Sequence, residues 1–309
     1  MIVVLSRIAE SLYWIGRYVE RADATARIVD QVRLAMLEDR AGSVEAGRRV
    51  LSVLLAQVPD AEVTYAEVAR TVVFDQSNPS ALGGAWFAAR ENARRAREVL
   101  PIEVWEVLNG GWVRWQRLPT SDATGRPLSW IRTRAAMFHG VVDSTMSHDD
   151  AWLFMRLGSS LERADMSARI IAAGTRQNPV LGWPQVLASA GGQQGYLRSQ
   201  RGVLDDRRVA AFLMLDRQFP RSVVYTLERA ENCLERLDPE TPRVGVRDDA
   251  RRVLGRMRSN LEYDDLESLY ATLPSRLVAV QETVRDADAA VARRYFPSGA
   301  APVWNGEIR

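Results

Sequence analysis

The chain contains no lysine. All 41 of its basic residues are arginine, which excludes Schiff-base catalysis, the phosphate-binding lysine of a P-loop and the usual lysine-dependent ATP sites. What remains is fixed charge and fork-shaped donors wherever a basic group is paired. Cysteine is almost as scarce. Cys233 stands alone, so no internal disulfide and no multi-cysteine zinc or iron-sulfur site can form. With His139 and His148 the only histidines, soft-ligand metal chemistry has little to build on. Long hydrophobic runs are also missing. The apolar start, Met1 to Leu5, meets Ser6, Arg7 and Glu10 at once, short of the roughly 7–15 apolar residues of a signal-peptide core and of any membrane span. The expected location is the cytoplasm, with no membrane partner. A net charge of +2 supplies no global field towards nucleic acid.

What is present is an ordinary globular composition, 47% hydrophobic and 26% charged over 309 residues, patterned for helices. From Ser6 to Leu37 apolar residues recur at threes and fours with no proline, which predicts one long helix. Further helices are expected over Val44–Val58, Glu62–Phe74, Ala81–Leu100, Ile102–Leu118, Ser129–Thr145, Ala151–Ala173, Leu204–Leu215, Pro220–Leu237, Asp248–Tyr270 and Pro274–Tyr295. Pro101 is placed at a first helical position, Gly110-Gly111 at a bend, and 119–127 in a polar loop. Ser147 and Asp150 have the spacing of a reciprocal cap. Val3-Val4-Leu5 is the one strand-like fragment. The expectation is an all-α, multi-helix up-and-down bundle containing an internally duplicated Glu-Arg helix. It occupies 1–295 as a single domain, with pseudo-repeated halves at about 1–145 and 146–295, and 296–309 forms a loosely ordered tail.

The duplication is explicit. Gly16-x-x-x-Glu20-Arg21-Ala22-Asp23-x-x-Ala26-Arg27-Ile28 aligns without a gap to Gly158-x-x-x-Glu162-Arg163-Ala164-Asp165-x-x-Ala168-Arg169-Ile170. Glu228-Arg229-Ala230-Glu231-Asn232 is a partial third copy, and Arg90-Glu91-Asn92-Ala93 a more distant echo. Helical spacing puts Gly16, Glu20, Asp23 and Arg27 on one face, with Arg21 about 100° around. Two readings stay open: a buried Arg-carboxylate network that fixes packing and register, or copies facing a cleft in which carboxylates hold Mg²⁺ and arginines an anionic ligand. A ferritin-like di-iron site is disfavoured, because neither histidine has Glu three residues before it. Cys233 reads as a core thiol and His139 as a packed or capping histidine. His148, beside Asp149 and Asp150 at a helix start, is the better candidate for a polar role. The arginines at 251, 252, 256 and 258 are balanced by neighbouring acids. Trp14, Trp86, Trp105 and Trp152 are expected in the core.

Three blocks, LSRIAESLYWIGRYVERADATARIVD, DQSNPSALGGAWFAARENARRAREVL with its following WEVLN, and HDDAWLFMRLGSSLERADMSARII, together resemble the bacterial alpha-E family, an all-helical domain named for its Glu-Arg motif. The resemblance is strong from Leu5 to about Ala172 and looser through Glu228-Arg229. The third copy departs from the motif, with Glu231 for Asp and Leu234-Glu235 where Ala-Arg falls. The resemblance implies a setting: members are encoded beside, or fused to, circularly permuted ATP-grasp proteins that look like carboxylate-amine ligases, with transglutaminase-like peptidases nearby. On that footing the expectation is a non-catalytic accessory or substrate-binding protein acting with such a ligase in peptide synthesis or modification. The alternatives are a metal-assisted enzyme using Glu20, Asp23, Glu162 and Asp165, and a structural homo-oligomer with a buried Glu/Asp-Arg network.

Overall fold

The structure is a computed structural model that describes residues 5–38, 47–48, 51, 53–54, 64–119, 125–175, 181–200, 204–239 and 244–297. Among them every regular element is helical. The elements are α1 (Ser6–Glu38), α2 (Tyr65–Val68), α3 (Leu82–Arg95), α4 (Ile102–Trp115), α5 (Arg126–Thr145), α6 (Asp150–Thr175), α7 (Trp183–Ser189), α8 (Gln193–Gln200), α9 (Asp206–Leu215), α10 (Val223–Leu237), α11 (Asp249–Glu262), α12 (Leu266–Ala271) and α13 (Leu273–Tyr295). None of the described helices is long and apolar enough to cross a membrane.

The packing repeats itself. α1 packs on α3, α3 on α4, α4 on α5, and α5 returns to α1; in the same order α6 packs on α10, α10 on α11, α11 on α13, and α13 returns to α6. Each set closes a ring of four helices, and the two rings are joined by the α1–α6 contact, the most extensive in the molecule. That central position explains why α1 and α6 bury residues almost all the way round, including Ala22, Ala24, Ala26, Val19 and Ile28 on α1 and Leu157, Leu161, Ala164 and Ala168 on α6. A helix apolar on most sides is one surrounded by others.

Local signals account for several boundaries that differ from expectation. Thr64 starts α2 through a reciprocal capping box with Glu67, and the chain continues as a π-helix over Ala69–Phe74. α3 stops at Arg95, and Pro101 is the cap of α4 instead of its first residue. No bend occurs at Gly110-Gly111. α4 runs through both, and Gly111 serves packing, since a Cβ there would lie 2.7 Å from the Trp86 indole Nε1. α5 begins at Arg126, three residues earlier than expected, because Gly125 takes the left-handed φ of 78° and Pro127 occupies the first turn.

The cap of α6 is Asp149, not Ser147: its Oδ1 accepts from the Ala151 and Trp152 amides at 3.0 and 3.4 Å. α10 starts at Val223 behind a Ser222 cap. The single helix expected over Asp248–Tyr270 is two, because Asp265 caps a new start at Leu266. The connection after α6 holds two short helices, α7 and α8. Phe296, expected in the tail, is buried against Tyr13 and Phe154. The expected helix at Val44–Val58 and strand at Val3-Val4-Leu5 lie largely outside the described residues. Trp86 and Trp152 are core residues, whereas Trp14 and Trp105 are only partly buried; Trp112, Trp115 and Trp183 join the core unannounced.

Candidate functional site: the crossed Glu-Arg network

Two glycines bring α1 and α6 together. A Cβ at Gly16 would lie 2.1 Å from the Met155 carbonyl oxygen, and one at Gly158 would lie 2.0 Å from the Tyr13 carbonyl oxygen. The two clashes are related by the same offset as the sequence repeat, so the helices run in the same direction about a local pseudo-twofold. Ser159 Oγ donates across this contact to the Gly16 carbonyl at 3.3 Å. Backbones this close leave long side chains at the next turn no exit except past the partner helix.

At that turn each copy's glutamate is gripped by the other copy's arginine. Arg21 donates from Nε and a terminal nitrogen to the two oxygens of Glu162, at 2.5 and 2.9 Å; Arg163 donates to Glu20 at 2.6 Å. The fork geometry of guanidinium suits such pairing. Both arginines also reach a proline carbonyl, Pro79 for Arg21 and Pro220 for Arg163, each at 3.4 Å. Those prolines belong to equivalent loops, Asp75-x-x-x-Pro79 before α3 and Asp216-x-x-x-Pro220 before α10, in which the aspartates accept from amides two or three residues on. Arg27 pairs with Asp23 at 2.9 Å and Arg169 with Asp165 at 2.7 Å, again in parallel.

The second donor to each glutamate breaks the symmetry. Glu162 receives Arg17 at 2.7 Å from within α1, whereas Glu20 receives Arg221 at 2.7 Å from the loop before α10. Arg17 also pairs with Asp288 of α13 at 2.5 Å, where Tyr13 donates to the same oxygen. Arg221 reaches Asp23 at 2.5 Å. His139 Nε2 stands 3.3 Å from Glu20. Arg17, Arg221 and His139 were outside the sequence-based set. Arg17 carried a signal, one turn before Arg21 on the same helix; Arg221 and His139 had none, since only the tertiary fold delivers them.

Charge state follows from these contacts. Glu20 and Glu162 are 0% and 1% exposed. Burial pushes the Glu162 carboxyl up, but Arg21 and Arg17 outweigh it and hold it at about 2. Glu20 is likewise held well below the usual carboxylate range, Arg163 and Arg221 outweighing burial. Burial pushes the Arg17 and Arg221 guanidinium groups down, but Tyr13, Asp288 and Glu162 around Arg17, and Glu20 and Asp23 around Arg221, outweigh it and hold both above their ordinary value. Asp23 Oδ1 is buried with no hydrogen-bond partner among the described residues.

The carboxylates do not suit Mg²⁺. Both oxygens of Glu20 and Glu162 are taken by guanidinium, which a divalent cation would have to displace while sharing its positive surroundings. Among the described residues no three His, Cys, Asp or Glu side chains come together as a metal set.

The remaining sequence-derived candidates fall elsewhere. Arg90 donates to Asn109 at 3.0 Å, pairs with Glu91 and lies over Trp105; Asn92 donates to the Ala88 carbonyl. Arg90 ties α3 to α4, whereas Glu91 and Asn92 bond within α3, and none of the three joins the crossed pairs. Glu228 is exposed, and Arg229 faces a pocket with Arg156 and Arg163. His148 stacks on Trp152 with ring centres 4.1 Å apart, and Asp149 is the cap of α6. Cys233 is buried, its thiol pushed up to about 11 by burial.

Comparison with known proteins places this geometry. Uncharacterized proteins of Mycobacterium bovis and Mycobacterium tuberculosis are each 25% identical to the chain over 345 aligned residues, covering 98% of it. The chain spans only 38% of the length of those relatives. No solved structure matches it significantly. Residues 4–296 match Alpha-E, a predicted alpha-helical domain with a conserved ER motif. With Glu20-Arg21 and Glu162-Arg163 crossed at the centre of the fold, the chain belongs to the alpha-E family.

Proposed function

We propose that the chain is a non-catalytic helical accessory protein, acting in the cytoplasm with an ATP-grasp carboxylate-amine ligase in peptide synthesis or modification. The observation that carries the non-catalytic part is the saturation of Glu20 and Glu162 by four arginines from three segments of the chain. A carboxylate so engaged is a poor general base and a poor metal ligand, and a strong determinant of helix register. Two further facts support dependence on a partner. A chain without lysine lacks the residue that ATP-grasp enzymes normally set against nucleotide phosphates. The mycobacterial relatives carry the matching segment within a much longer polypeptide, which leaves room for a second activity beside the helical one. A transglutaminase-like peptidase is a second candidate partner.

The test is co-purification with a circularly permuted ATP-grasp protein from the same source, followed by measurement of ATP turnover with and without this chain. A stable complex whose turnover changes several-fold on adding the chain is the expected result. Two proteins that neither associate nor alter each other's activity would overturn the reading.

A further inference from the structure

The third Glu-Arg copy has no role in the crossed network, yet its arginine is well placed. Arg229 of α10 stands with Tyr225 and Thr226 opposite Arg156, Ser159, Ser160 and Arg163 of α6, around a narrow pocket that is partly open to solvent. On α6 these residues fall at i, i+3, i+4 and i+7, one face of the helix. Three guanidinium groups line the pocket and no carboxylate does.

Most of their donors are unspent. Arg163 commits its terminal nitrogens to Glu20 and the Pro220 carbonyl, and its buried Nε has no hydrogen-bond partner among the described residues. Arg156 and Arg229 make no hydrogen bond or ion pair among the described residues; Arg156 lies over the Trp152 ring at 5.3 Å. Burial, and then the like charges of Arg229 and Arg163, push the Arg156 guanidinium down, with the exposed Asp143 a weaker opposing influence. Ser159, Ser160 and Thr226 spend their hydroxyl protons on the carbonyls of Gly16, Arg156 and residues 222 and 223. The arginines, with the Tyr225 hydroxyl beside them, are therefore the donors on offer.

The pocket also breaks the internal symmetry. In the gapless alignment Arg156, Ser159 and Ser160 replace Trp14, Arg17 and Tyr18 of the first copy. There Trp14 and Tyr18 stack with ring centres 5.3 Å apart, Arg17 lies over Trp14 and Arg21 over Tyr18. The second copy exchanges these two aromatic residues for a serine and another arginine, and space opens where the first copy is filled.

We propose that this pocket between α6 and α10 binds a phosphate group through Arg156, Arg163 and Arg229. Arg163 shares Glu20 with Arg221, and Arg156 and Arg229 have no carboxylate partner among the described residues, so the lining carries at least two uncompensated positive charges, which match a phosphate dianion better than a monovalent carboxylate. Guanidinium forks give a tetrahedral oxyanion paired donors. The inference goes beyond the accessory role and does not depend on a ligase partner.

Calorimetric titration of the whole chain with inorganic phosphate, phenyl phosphate and acetate, at matched ionic strength, tests it. Saturable binding of one phosphate group per chain is expected, at least tenfold tighter than acetate. Tighter inorganic phosphate assigns the pocket to the free anion, and tighter phenyl phosphate to the end group of a phosphorylated ligand; both support the site. Arg229→Gln, which removes no hydrogen bond or ion pair found among the described residues, should weaken binding at least tenfold. Ser160→Tyr, which restores the first copy's side chain, should do so without changing charge. The exposed Arg285→Gln controls for net charge and should have no effect. Binding that survives both pocket variants, that falls equally in Arg285→Gln, or that does not saturate overturns the proposal.

Discussion

A carboxylate removed from water keeps its charge only where donors replace the lost solvent. Glu162 has Arg21 and Arg17, and Glu20 has Arg163 and Arg221; removing the acid takes the carboxylate from Arg21 or Arg163 and one of two carboxylates from Arg17 or Arg221, which keep Asp288 and Asp23. Glu162→Gln and Glu20→Gln should each cost about 3–5 kcal/mol in urea unfolding, while Glu228→Gln, exposed and without an ion pair among the described residues, should stay within about 0.5 kcal/mol. Equal losses at all three positions would contradict the assignment. The acid limb of stability carries the same signature. Because the folded pKa of Glu162 is depressed from 4.5 to about 2, its contribution is complete above about pH 4.5 and is lost as pH falls towards 2. Melting temperature measured from pH 6 to 2 should therefore drop less steeply in Glu162→Gln than in the parent. The motif residues were legible in the sequence because a gapless repeat announces itself. Their partners were not: that Glu20 meets the arginine of the other copy, and not Arg21 beside it, depends on how α1 and α6 cross, and Arg221 arrives from a loop 201 residues away.

Glycine at a helix contact and glycine on a helix surface look alike in sequence, and the structure separates them. At Gly16 and Gly158 an added methyl would meet a backbone oxygen at 2.1 and 2.0 Å, which no rotamer relieves. At Gly140 in α5 nothing lies within 4 Å. Alanine gains about 1 kcal/mol of helix propensity over glycine. Gly140→Ala should therefore raise the melting temperature, whereas Gly16→Ala and Gly158→Ala should lower stability by about 1–3 kcal/mol through overpacking, despite that gain. Thermal unfolding of the three variants checks the sign at each position. The same limit governed helix boundaries. Periodicity identified the long helices, since their buried faces recur at threes and fours. It could not find the break at Asp265, because the Tyr263-Asp264-Asp265 run reads as a polar helix face until Asp265 turns back to accept from Glu267 and Ser268.

Two four-helix rings that shared only a surface patch would open separately, each with its own stability. Here the shared elements are α1 and α6, each of which supplies one wall of its own ring and packs along the other ring's central helix. Opening the second ring would uncover Glu20 and Asp23, whose partner Arg221 lies at the head of α10; opening the first would free Arg21 from the Pro79 carbonyl at the head of α3 and expose Glu162. Neither ring can unfold without leaving buried charge unpaired in the other, at a cost of about 3–5 kcal/mol, a large part of the about 5–15 kcal/mol that a domain holds. Hydrogen exchange should consequently give α4 and α11, on opposite sides of the molecule's two rings, the same opening free energy. Glu20→Gln should lower both by the same amount, although Glu20 belongs to the first ring and its engaged arginines to the second. Exchange that accelerates in α11 while α4 keeps its protection would show that the crossed pairs hold register without coupling the rings, and the network would then be a device for packing two independent bundles.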